Sequence, residues 1–194
     1  EKQVAIVIGQ DGLVANAAKY VNGIPIIAIN PDVERYDGIL LPFTPNDFGI
    51  GIENVIQNKF KQRSTFFAEA KLNDGQRLLA FNDLFIGAAT HVSARYRIGY
   101  QDQVEEHSSS GVIVSTQAGS TGWLSSIFNM TSGMQRFIEK GNSKRKFAKL
   151  RDNQLLFVVR EPFASRKTQI DMQAGIVTNQ TKLTIESLMP SNGI

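Results

Sequence analysis

Residues 111–126, GVIVSTQAGSTGWLSS, constrain the fold more than any other stretch of the chain. Val112, Ile113 and Val114 form a β-branched apolar run with no polar alternation, the composition of a strand covered on both faces. The run gives way to hydroxyl-bearing and small residues, Ser115, Thr116, Gly119, Ser120, Thr121 and Gly122, ahead of an apolar, helix-compatible stretch over 123–137. The order is strand, small-residue turn, helix start. Such a turn offers free backbone N–H groups, hydroxyls and the positive end of a helix dipole, which suit an anionic or polar ligand. Ser and Thr are also ordinary N-caps, so a capped helix after a buried strand is the alternative.

The chain has 194 residues, enough for one large domain or two small ones. Its 42% hydrophobic and 20% charged residues are those of a globular protein. No apolar run approaches the roughly 18 residues of a membrane span, and no membrane partner is expected. Cysteine is absent, which excludes disulfides and thiolate metal sites and fits a cytoplasmic location. Much of the excess positive charge lies in residues 140–151, KGNSKRKFAKLR, with Phe147 the only aromatic. Nucleic-acid binding calls for a wider basic face with stacking residues, so this stretch reads as a solvated loop. The chain opens almost directly on an apolar strand at 4–8 and closes on a Pro-Ser-Asn-Gly turn at 190–193. Domains usually begin and end in less committed sequence, so neighbouring elements are expected.

Residues 1–48 read as a partial α/β, Rossmann-like domain. VAIVI (4–8) leads into Gly9-Gln10-Asp11-Gly12-Leu13 and an Ala-rich helical stretch over 14–21. Apolar strands are expected at 26–29 and 38–41, with a turn at Asn30-Pro31-Asp32 between them. Apolar strands alternating with helical stretches indicate a parallel sheet, and ligands of such sheets sit at the carboxyl ends of the strands, where Gly9 and Gly12 lie. Asp11 repels phosphate and would instead hold a metal or accept a hydroxyl proton. A plain Asp-Gly turn closing a βα unit is the other reading. The chain has no Walker lysine motif, complete dinucleotide fingerprint or nucleophile elbow. His91 and His107 share no helical spacing, so no metal site is expected from them.

Residues 49–194 read as a β-rich, sandwich-like domain. After a short helical stretch around Ile52, Val55 and Ile56, residues 64–72 alternate between apolar and polar. Asn73-Asp74-Gly75 then signals a hairpin onto 77–81. Residues 92–100 alternate again, with Ala94, Tyr96 and Ile98 opposite Arg95 and Arg97. Further strands are expected at 155–159, 167–172 and 182–188. Asn82 and Asp83 interrupt the apolar run LLAFNDLFIGA. Buried polar groups need partners, so this pair marks either a loop between strands or ligand-binding groups.

Taken in order, GQDGL, AFNDLFIGA and GVIVSTQAGSTGW resemble the motifs of the ATP–NAD kinase family: GGDGT, an Asn-Glu pair in a hydrophobic stretch, and a strand leading into TPTGSTAY. The resemblance covers most of the chain and makes it a divergent member, the first motif being shared with diacylglycerol and sphingosine kinases. It implies an α/β domain followed by a β-sandwich domain. It further implies that Asp11 is catalytic, that Gly9 and Gly12 flank the phosphates and that Asn82 and Asp83 hold the adenosine part of a dinucleotide. Ser110, Thr116, Gly119, Ser120 and Thr121 would complete the nucleotide pocket. The implied reaction moves a phosphate from ATP or polyphosphate to the 2′-hydroxyl of NAD, with Mg²⁺ accompanying the ATP, in a homodimer or homotetramer. Gln10 and Leu13 replace a glycine and a threonine of the first motif, and Asp83 replaces a longer Glu. Ser110 replaces an aspartate, and Gln117, Ala118, Gly122 and Trp123 replace Pro, Thr, Ala and Tyr. Two alternatives therefore stand beside the kinase: a non-catalytic nucleotide-binding homologue and a diacylglycerol-type lipid kinase.

Overall fold

The apolar runs become strands, and local turn chemistry sets their ends, in a computed structural model that describes residues 3–140, 149–191 and 193. The chain divides into two compact units, Glu1–Thr65 and Phe66–Ile194.

In the first unit β1 (Ala5–Ile8) pairs in parallel with β2 (Ile26–Ile29), joined through α1 (Asp11–Ala17). The strand IIAI has no polar alternation because both its faces are covered. Ala28 packs with Val7, Val14 and Leu41, while Ile27 and Ile29 pack with Val55 of α2 (Phe48–Ile56). The domain boundary expected after residue 48 therefore moves: α2 belongs to the first unit because its apolar face covers β2. The strand expected at 38–41 is instead a turn closed by Leu41 N–H donating to Gly38 O (3.0 Å). Asp11 Oδ1 takes the Leu40 N–H at 2.6 Å, which removes that amide from any ladder. The place beside β2 goes to Phe43, in a parallel bridge with Ile29.

The second unit opens with the hairpin β3 (Ala68–Lys71) and β4 (Arg77–Ala80), turning at the expected Asn-Asp-Gly with Gly75 at φ +88°. There follow β5 (Asp83–Ile86), β6 (Ala94–Tyr100), β7 (Gln103–Ser109) and β8 (Val112–Ser115). A 3₁₀ helix (Ala118–Thr121), α3 (Trp123–Glu139), β9 (Leu155–Val159), β10 (Ala174–Val177) and β11 (Leu183–Ser187) complete it. Two antiparallel sheets result, ordered β10-β9-β8-β5 and β11-β6-β7. They face each other across Ala94, Tyr96, Ile98, Val112, Val114, Phe157 and Val159. On its other face the four-stranded sheet meets α3, where Leu124 packs on Leu150 and Leu156. This double cover is why VIV and LLFVV carry no polar alternation. The architecture is an α/β unit followed by a β-sandwich unit, as the sequence implies.

Two strand assignments change. Residues 167–172 are irregular: Thr168 Oγ1 donates to Phe163 O (2.6 Å), Met172 N–H donates to Glu105 Oε2 (3.1 Å), and the strand begins two residues later at Ala174. The polar β7 was not expected. Gln101 and Asp102, at φ 49° and 62°, form the tight turn that returns it against β6. Of its inward polar groups, His107 Nε2 pairs with Glu105 Oε2 (2.8 Å) and Ser109 Oγ with Tyr96 OH (2.8 Å), while His107 Nδ1 is buried without a hydrogen-bond partner among the described residues. Burial drives the Tyr96 phenol up to about 12. The part of the basic stretch at 141–148 lies outside the described residues. Among the described residues no helix is long and apolar enough to cross a membrane.

Candidate functional site

In the first unit Gly9 follows β1, its N–H donating to Ile29 O at 3.2 Å, and Asp11 is the first residue of α1. Gln10 stands at the N-cap position with no side-chain cap. The bond from Leu40 engages one Asp11 oxygen and fixes the carboxylate at the helix start. Leu13 lies against Gly9, its Cδ2 2.8 Å from where a Cβ would stand, whereas Gly12 has open space around it. Beyond the expected residues, the buried Asn30 shapes the loop that delivers Leu40. Its N–H donates to Phe43 O (2.7 Å), its Nδ2 to Tyr36 O (3.0 Å), and its Oδ1 accepts from Asp32 N–H (3.1 Å). An Asn before a Pro-Asp turn signalled the turn, though not the burial.

In the second unit the motif residues gather at the ends of β5 and β8. Asp83 opens β5 opposite Ser115, and Asn82 sits exposed in the bend before it. The buried Thr116 organises the turn: its Oγ1 donates to Phe81 O (2.6 Å) and accepts from Gly119 N–H (3.1 Å), while its own N–H donates to Asn82 O (2.9 Å). A Cβ at Gly119 would lie 2.3 Å from Asn82 O, so only glycine lets the 3₁₀ helix approach the bend. Thr116 and Gly119 thus shape the turn from inside, while Asn82 and Thr121 are exposed and Ser120 is half-buried. Asp83 Oδ1 is buried without a hydrogen-bond partner among the described residues. Burial pushes this carboxyl up from the usual carboxylate range, and the Ser115 hydroxyl offsets that only in part. Ser110 is exposed, its N–H donating to Arg160 O at 2.9 Å.

An open groove of about 590 Å³ runs along the 3₁₀ helix and the first turns of α3. Gln117, Ser120, Thr121 and Ser125 line one part of it, Leu124, Phe128 and Leu150 form its apolar wall, and Lys149 adds a cation. The sequence assigned Lys149 to a solvated loop; the groove is formed by chain segments some 25 residues apart, which no local pattern connects.

No family model and no curated protein sequence matches the chain. Solved structures do. A yeast NADH kinase in complex with NADH superposes with a TM-score of 0.62 at 14% identity, over 98% of this chain and 55% of that one. An NAD kinase from Archaeoglobus fulgidus in complex with ATP gives 0.60 at 16% identity, over 94% of this chain and 64% of that one. The fold is the NAD kinase fold. The chain spans a little over half to about two thirds the length of these two enzymes.

Proposed function

We infer that the protein is a phosphotransferase of the NAD kinase type, moving a phosphoryl group from ATP or polyphosphate to the 2′-hydroxyl of NAD or a related nucleotide. The observation that carries this reading is the turn after β8, on a fold shared with NAD kinases. Thr116 and Gly119 hold it against Asn82, leaving Asn82 and Thr121 exposed. The ligand would lie along the groove, with Lys149 offsetting phosphate charge and Phe128 and Leu124 meeting apolar surface. Asp83 and Asn82 would hydrogen-bond the adenosine ribose. Ser110, Ser120 and Thr121 would complete the polar contacts, and in the first unit Gly12 would leave room for phosphate oxygens beside Asp11.

Asp11 would accept the acceptor's hydroxyl proton. The new O–P bond forms as the bond to the leaving ADP, or to the polyphosphate chain shortened by one unit, breaks; the leaving group keeps the bonding pair, and the proton passes on to solvent. Among the described residues no cluster of three or more His, Cys, Asp or Glu side chains could hold a metal ion. Mg²⁺ would therefore enter on the phosphates of the nucleotide, as part of the substrate. A homodimer or homotetramer in the cytoplasm completes the proposal, and light scattering of the full chain tests the assembly.

A second reading, nucleotide binding without turnover, is favoured by one observation. Leu13 places an apolar side chain over Gly9, at the helix start where phosphate would approach. Calorimetry with NAD, NADP and ATP, with phosphate transfer assayed on the same sample, separates the two. Binding with turnover that Asp11→Asn abolishes supports the kinase; binding without turnover supports the second reading; no binding overturns both.

A further inference from the structure

On the α3 side of the four-stranded sheet, Phe85 stands two residues along β5 from Asp83, on the same face. Its ring lies across two glycines. A Cβ at Gly87 would be 2.5 Å from Phe85 Cζ, and one at Gly111 would be 2.7 Å from Cε2. The ring meets Trp123, the first residue of α3, with centroids 5.5 Å apart and planes tilted by 32°. The Arg160 guanidinium lies 5.3 Å from the Trp123 ring centroid. Arg160 follows β9 and is tied to the strand start by its N–H donating to Gly111 O (2.8 Å) and its O accepting from Ser110 N–H.

The cluster is built, yet open. Two glycines are spent on seating Phe85, but Phe85 remains 45% and Trp123 41% exposed. The ion pair of Arg160 is with Glu161 at 3.5 Å, beyond hydrogen-bond contact and with the carboxylate half in solvent, so it leaves most of the cation's capacity unused. Ser110, bonded to Arg160 through the backbone, is exposed and brings no charge. Aromatic faces attract a planar ring, and a guanidinium at their rim attracts a carboxylate or phosphate oxygen.

We propose that Arg160, seated on the Phe85–Trp123 platform beside Ser110, is a specificity-determining residue that selects ligands bearing an anionic group next to an aromatic ring. It extends the site that begins at Asp83, and so rests on the nucleotide reading above. The anionic group has two sources, a ring carboxylate or an added phosphate.

Trp123 is the only tryptophan, so intrinsic fluorescence reports on the platform directly. The full chain is titrated with NAD, with nicotinic acid adenine dinucleotide (a ring carboxylate in place of the amide) and with NADP (an added phosphate). Free nicotinate and nicotinamide are titrated in parallel. At least one anionic dinucleotide is expected to bind about tenfold more tightly than NAD, the magnitude of one charge-assisted hydrogen bond. Which one does so identifies the source. Arg160→Gln erases the difference with unchanged circular dichroism, and Arg160→Lys restores part of it. Equal affinities in the wild type, or a preference that survives Arg160→Gln, overturn the proposal while leaving the nucleotide reading intact. If no dinucleotide binds but nicotinate shifts Trp123 emission in the wild type and not in Arg160→Gln, the platform stands and the nucleotide reading falls. Silence from every probe removes both.

Discussion

Two turns follow apolar strands in this molecule, and they are built in opposite ways. The turn after β1 is open on its Gly12 side: Asp11 is anchored by a single amide from Leu40, and Gly12 has nothing within 4 Å of a would-be Cβ, while Leu13 covers Gly9. The turn after β8 is closed on itself. Thr116 spends both its donor and its acceptor capacity inside it, and Gly119 touches the backbone of Asn82. An open turn with a fixed carboxylate suits a step in which phosphate oxygens arrive and leave. A closed turn suits recognition, because its exposed polar groups are held in place before the ligand comes.

The contrast can be broken by experiment. The largest expected effect is on turnover: Asp11→Asn should lower phosphate transfer by about 10²–10⁴-fold, the span of a lost general base, with calorimetric nucleotide binding retained. Loss of binding as well would make the first turn a recognition element and erase the distinction. Next comes stability. Gly119→Ala places a Cβ into the backbone of Asn82 and should cost about 3 kcal/mol in urea unfolding. Thr116→Val leaves Phe81 O and Gly119 N–H without their partner and should cost roughly 1–3 kcal/mol by the same measurement. Gly12→Ala is the opposite test: in an open helical position it should stabilise by roughly 0.5–1 kcal/mol while weakening phosphate binding.

The smallest effect is a pH slope. The Asp83 carboxyl is raised by burial, so the folded protein holds a proton that the unfolded chain has already released. Stability should therefore fall as pH rises from the unfolded carboxylate value near 3.8 through the raised folded value, then level off. Asp83→Asn should flatten that slope in denaturation curves taken across the acid range. An unchanged slope would show that Asp83 is solvated in the folded protein.

Much of this was legible in sequence because it is local. The runs IIAI, VIV and LLFVV become strands covered on both faces, VAIVI becomes a strand that buries Val7 and leaves Ile6 and Ile8 exposed, and Asn73-Asp74-Gly75 becomes a hairpin turn. The errors have a common cause. Residues 38–41 look like a strand, but Asp11, distant in sequence, takes the Leu40 amide. QVEEHSS carries no apolar run to mark a strand, and its place in the sandwich rests on Glu105 pairing with His107 Nε2 and Tyr96 with Ser109. Lys149 is exposed outside any helix or strand, as its basic stretch suggests, and it also lines the groove beside α3, which no local pattern connects to it.

The sequence by itself determined the α/β-then-β order, the two glycine-bearing turns and the polar pair Asn82-Asp83, since each rests on side-chain periodicity or backbone freedom within a few residues. Tertiary structure alone decided that α2 joins the first unit, that Thr116 acts from inside its turn, and that Phe85, Trp123 and Arg160 meet on one face. The physical reason is that hydrogen-bond satisfaction and ring contact depend on partners far along the chain, which periodicity does not encode.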